Sequence, residues 1–136
     1  MHEVNNNSTG VIQGLGTLDM INSDPYSFHN GGTIAPGLTT GLLIINNKQL
    51  FSPNSVLSIE VLDNSGPGSG HDELVCNYDV HLNGILMVKE IGGAVTQGRF
   101  KIFTTAGTID GNFIKTNLPS GYSVQINSNS VELLKQ

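Results

Sequence analysis

The segment Asn30-Gly31-Gly32-Thr33-Ile34-Ala35-Pro36-Gly37 carries most of the information about architecture. It is punctuated at both ends. Gly31-Gly32 tolerates positive φ, and Pro36-Gly37 presets a φ of about −65° before a residue free to turn left-handed. Between these turns, Thr33-Ile34-Ala35 has room for one short strand. The same Gly-Thr-Ile core followed by Gly returns in Ala106-Gly107-Thr108-Ile109-Asp110-Gly111, and Val11-Ile12-Gln13-Gly14-Leu15-Gly16-Thr17-Leu18 has the same Gly-rich, short-strand texture. Such self-similarity is what a solenoid leaves in a sequence, because each coil packs only on its neighbours. Asn-rich turns suit the stack, since Asn accepts left-handed geometry and its amides form ladders. An antiparallel β-sandwich with strands every ~8–12 residues uses the same short strands and turns, and it stays open as the alternative.

Outward from this segment the pattern continues. Asn46-Asn47, Pro53-Asn54, Gly66-Pro67-Gly68, Asn83-Gly84, Gly92-Gly93, Asp110-Gly111-Asn112 and Pro119-Ser120-Gly121 all read as turns. The runs between them have strand composition and alternate. Leu57, Ile59 and Val61 share one face, as do Val80 and Leu82, then Leu86 and Val88. Phe100, Ile102 and Thr104 alternate too, as do Tyr122, Val124 and Ile126. No window of a dozen residues keeps apolar residues at helical spacing, so the class is all-β. Phe28, Phe51, Phe100, Phe103 and Phe113 are expected inside.

Composition agrees. The chain has 136 residues, room for one domain, with 38% hydrophobic residues, 12% charged and 17 Gly. Half the usual share of charge disfavours long solvated helices, and Asn, Ser, Thr and Gly must cover the surface. The net charge of −5, with six Lys and Arg, leaves no basic cluster for phosphates or anionic membranes. The longest apolar run, Leu42 to Ile45, is far too short to insert in a bilayer. No basic start followed by an apolar stretch opens the chain, and His2 to Gly10 reads as the interior of something longer. A signal sequence would then lie outside these residues.

The order of motifs resembles the closing coils of bacterial autotransporter passenger domains. The string Asn30 to Gly37 precedes Gly41-Leu42-Leu43-Ile44, then Ser55-Val56-Leu57-Ser58-Ile59-Glu60-Val61, then a Gly-rich loop ending in Asp72-Glu73-Leu74-Val75. Gly84-Ile85-Leu86-Met87-Val88, Gly98 to Ile102, Gly111 to Phe113 and Ser130-Val131-Glu132-Leu133-Leu134 follow in the family's order. The resemblance covers residues 30–134. It implies a right-handed parallel β-helix, with stacked coils over 1–76 and terminal coils plus a cap over 77–136. It also implies an extracellular place on a bacterial surface, with upstream coils of the same protein as partner. The family continues into a membrane barrel of alternating strands, and Leu134-Lys135-Gln136 ends without one.

Chemistry is sparse. Pro67-Gly68-Ser69-Gly70-His71-Asp72-Glu73-Leu74-Val75 matches the calcium-binding nonapeptide G-G-x-G-x-D-x-U-x at every fixed position except the first. Calcium would take turn carbonyls and carboxylates, here Asp63, Asn64 and Asp72. A single copy completes no such site, and the plainer expectation is a mobile Gly66–Gly70 turn with Asp72 capping the next strand through backbone N–H groups. His71, Cys76 and His81 lie on alternating faces with no tight ligand pair, so exposed histidines and a buried Cys76 are expected rather than a zinc set. Tyr26 and Tyr78, near turns, are the rings best placed for a sugar. No nucleophile elbow, phosphate loop or H-E-x-x-H pair is present, and Asp79 with His81 is the only same-strand polar pair a solenoid lyase or glycosidase would use. The expectation is a non-enzymatic structural module without a cofactor. A calcium- or glycan-binding adhesive module, with host or surface glycans as partners, is the alternative.

Overall fold

A computed structural model describes residues 4–19, 28–93 and 95–136. Strands come in sets of three. β1 (Val4–Asn6), β2 (Val11–Gly14) and β3 (Gly16–Asp19) make the first coil, and β4 (Phe28–Asn30), β5 (Thr33–Pro36) and β6 (Leu42–Asn46) the second. The third holds β7 (Val56–Val61) and β8 (Glu73–Cys76), with segment 49–51 running beside β4 through Asn30 N–H to the Gln49 carbonyl (3.4 Å). The fourth holds β9 (Val80–Leu82), β10 (Ile85–Glu90) and β11 (Gly98–Thr105). Two short strands, β12 (Ile109–Gly111) and β13 (Lys115–Asn117), lead to a hairpin of β14 (Tyr122–Ile126) and β15 (Ser130–Lys135).

Successive coils pair in parallel. One face runs β2-β5-β7-β10-β13, a second runs β3-β6-β8-β11, and the third is built from β1-β4 and β9-β12. The chain is therefore a parallel β-helix. Strands distant in sequence pair in one direction, which an antiparallel sandwich does not do, so that alternative falls. Among the described residues the only antiparallel ladders between strands are β11-β15 and β14-β15. Among the described residues no helix is long and apolar enough to cross a membrane.

The core follows from pleat and register together. Side chains alternate along a strand, and in-register stacking puts each inward residue over its counterpart in the next coil. Ile12, Ile34, Leu57 and Leu86 make one column, and Leu43, Leu74, Phe103 and Val131 another. Below Ile12 and Leu43 respectively, these columns are fully buried, each large side chain contributing ~1.5–3 kcal/mol on burial. Phe28, Phe100 and Phe103 lie inside as expected. Phe51 and Phe113 are only partly buried; they continue an edge-to-face series from Phe103 (5.5 and 5.8 Å).

At one corner the column is polar. Asn6 Nδ2 donates to Asn30 Oδ1 (2.9 Å), and Asn30 Nδ2 donates to the Leu50 carbonyl (2.9 Å). This is the amide ladder that Asn-rich turns allow, and it satisfies backbone groups that a tight corner would otherwise strand. The Asn83-Gly84 corner needs Gly for space as well as for its φ of +75°. A Cβ there would stand 2.3 Å from the Ser55 carbonyl oxygen of the coil above.

One alternation breaks. A register shift between Lys101 and Phe103 puts both Ile102 and Phe103 inside, so Thr104 faces outward instead of sharing the inner face of Phe100 and Ile102. The bulge lets β11 serve a parallel neighbour, β8, on one edge and an antiparallel one, β15, on the other.

Candidate functional site

The Gly-rich stretch between β7 and β8 is a closed turn. Leu62 and Asp63 N–H both donate to the Gly70 carbonyl (2.7 and 3.0 Å), Gly70 N–H to Gly66 (2.7 Å) and Gly68 N–H to His71 (2.8 Å). Asp72 is buried, and its two oxygens accept from Gly41 N–H (2.8 Å) and Glu60 N–H (2.7 Å). It does accept backbone N–H groups, but from the preceding coil and from β7 rather than from the strand after it. Burial pushes its carboxyl up to about 7, against the two N–H donors that favour the anion.

Asp63 instead accepts from the Ser65 N–H (2.8 Å) and the Ser65 hydroxyl, which hold its carboxyl below the usual range. Asn64 Nδ2 reaches the Gln97 carbonyl (3.3 Å). Asp63, Asn64 and Asp72 are thus bonded in three different directions. Among the described residues no group of three His, Cys, Asp or Glu side chains is placed to hold a metal ion.

His71 departs from expectation. It is buried rather than exposed, because an antiparallel bridge to Val61 folds it inward, where its ring stands edge-on to Phe100 (5.4 Å). Cys76 is buried, with Sγ 3.1 Å from the Asn47 carbonyl. His81 is exposed and pairs with Asp110 of the next coil (2.7 Å). Asp79, just ahead of β9, accepts from Thr108 N–H (2.8 Å) and its hydroxyl (3.1 Å). Each member is thus bonded to the next coil, and both line one cavity with Thr108 and Asp110. Tyr78 packs partly buried against the core, and Tyr26 lies outside the described residues.

The most elaborate arrangement is at the C-terminal end. β15 lies antiparallel on β11, with Leu133 opposite Phe100 and Val131 opposite Phe103, all buried. The hairpin turn is held by Asn127, whose N–H donates to the Ser130 carbonyl (2.8 Å) and whose Nδ2 donates to Ser130 Oγ (3.0 Å) and Glu132 Oε1 (2.9 Å). Glu90, at the end of β10, clasps both hairpin strands. Its Oε2 accepts from Tyr122 Oη and Lys135 Nζ, each at 2.7 Å. Lys135 also donates to the Val95 carbonyl (2.7 Å) and sits over the Tyr122 ring (5.1 Å). The Lys135 and Tyr122 bonds hold the Glu90 carboxyl below its ordinary range, while burial first, and then the bond to Glu90, push the Tyr122 hydroxyl above its own. Nothing in the sequence marks this trio, because its members lie on three strands, β10, β14 and β15, and meet only when the hairpin folds back.

No family model matches this chain, and no curated protein matches it.

Proposed function

We propose that this chain is a non-catalytic structural module, the closing cap of a β-helix in a secreted or cell-surface protein of the autotransporter-passenger type. The observation that carries the reading is the reversal of strand direction at β15. A parallel coil ends in unpaired N–H and C=O groups that invite another chain. Here the edge of β11 is filled by an antiparallel strand with its own buried side chains, Val131 and Leu133, and fastened to β10 through Glu90.

The opposite end has a different character. Within their sheets β1, β2 and β3 are outermost, and Val4, Ile12 and Leu18 are only partly buried, whereas Phe28, Ile34 and Ile45 beneath them are fully covered. An end of this kind suits stacking on upstream coils of the same protein.

The test is removal of residues 119–136, with Leu133→Asp in the whole chain as a second route to the same lesion. Light scattering and size exclusion should show concentration-dependent self-association in both. Both proteins remaining monodisperse at high concentration would defeat the cap reading. Micromolar calcium or glycan binding by the intact chain in calorimetry would favour an adhesive module instead.

A further inference from the structure

His71 is 3% exposed, at the point where the closed turn rejoins β8. Its Nε2 lies 2.9 Å from the Lys101 carbonyl, which only accepts, so Nε2 carries the proton and Nδ1 the lone pair. Nδ1 is buried and has no hydrogen-bond partner among the described residues.

The ionisable groups around it come from every packed element. Arg99 and Lys101 on β11 and Glu132 on β15 line the adjoining cavity with it, Glu60 precedes its bridge partner Val61 on β7, and Asp63, Asp72 and Glu73 belong to its own segment. Most of these carboxylates are already committed. Asp63 serves Ser65, Asp72 serves Gly41 and Glu60 N–H, Glu73 takes the Thr104 hydroxyl (2.8 Å), and Glu132 takes Arg99 (3.3 Å) and Asn127 (2.9 Å). A second proton on the ring would enter a site with no acceptor for it, beside a cavity wall carrying two cations. Burial correspondingly holds the imidazole below its ordinary range.

We propose that His71 is an acid-sensitive latch: protonation expels its ring from the Phe100–Lys101 seat and frees the turn 62–70. Release opens the adjoining cavity of about 340 Å³, walled by Asn64, Gly66, Pro67 and Phe100. Movement stops at Asp72, which is fastened to Gly41 and Glu60 N–H and whose own proton uptake at about 7 stabilises the folded state as pH falls, opposite to the effect of His71.

The test is hydrogen exchange of segment 62–71 at pH 7.5 and 5.5, corrected for intrinsic rates. If the closed ring takes up no proton, opening follows a free imidazole of pKa ~6.5 and rises about tenfold over that interval. Peptides from β7 and β8 keep their protection. His71→Phe keeps the ring contact with Phe100, cannot be protonated, and should show no rise; His71→Gln, a neutral side chain able to donate to the Lys101 carbonyl, serves if the Phe variant fails to fold. A rise below about twofold, slower exchange in acid, the same rise in the neutral variant, or loss of protection in β7 and β8 alongside the turn would each overturn the latch.

Discussion

Replacing Asn30 by Ala should remove more stability than any single surface substitution in this chain. Asn30 is 4% exposed and makes three side-chain hydrogen bonds. Oδ1 accepts from Asn6 Nδ2 (2.9 Å) and Gly32 N–H (3.1 Å), and Nδ2 donates to the Leu50 carbonyl (2.9 Å). After truncation Asn6 Nδ2 still reaches the Thr33 carbonyl (3.1 Å), so its loss is partial. Gly32 N–H and the Leu50 carbonyl lose their buried partner. Each group stranded in this way costs about 1–3 kcal/mol, and the weakened Asn6 bond adds up to about 1. The expected loss is about 2–7 kcal/mol, a large share of the ~5–15 kcal/mol typical of a domain.

Urea unfolding followed by far-ultraviolet circular dichroism measures this as a fall in midpoint at unchanged slope. A companion variant sharpens the reasoning. Asn30→Asp keeps the acceptor but turns a carboxylate oxygen on the Leu50 carbonyl, so its deficit should grow as pH rises through the carboxyl range. An Ala variant within about 1 kcal/mol of the parent, or an Asp variant whose deficit is independent of pH, would refute the view that the corner ladder holds the first coils together.

Two further outcomes follow from the same geometry. Leu133→Ala empties a fully buried position opposite Phe100 and should cost about 2–5 kcal/mol, read in the same unfolding assay; a cost under 1 would mean the hairpin packs loosely. Asp72→Asn should change the pH profile of stability. The folded carboxyl holds its proton to about 7 and the unfolded one releases it near 3.8, so the folded state binds more protons between those values. Stability of the parent therefore falls as pH rises across that window, by at most about 4 kcal/mol from this group, and is flat above it. The parent-minus-variant difference should follow that curve, and a difference independent of pH from 4 to 8 would contradict it.

Local pattern and long-range pairing divide the responsibility for this protein. The all-β class, the turns at Gly84 and Gly121, and the inward faces of Leu57-Ile59-Val61, Val80-Leu82 and Leu86-Val88 could be read directly from the chain. Each rests on the two-residue period of a strand or on backbone freedom at one residue, and both act over a few positions. The choice between solenoid and sandwich rested on a faint repeat and a resemblance in the order of motifs, because both folds fill the same period with the same residues. Parallel register decided it, by stacking Ile34 on Leu57 and Leu43 on Leu74.

Where sequence reasoning failed, the missing term was a partner far along the chain. Thr104 turned outward because β11 must satisfy two neighbours of opposite direction, and His71 turned inward because Val61 bridges it. Asp72 became a staple because Gly41 of the preceding coil offers an N–H to its carboxylate. The clasp of Glu90, Tyr122 and Lys135 exists only after the hairpin has folded back over the last coil. Composition and period determine which residues each coil turns inward, while the register between coils determines which of its polar groups meet.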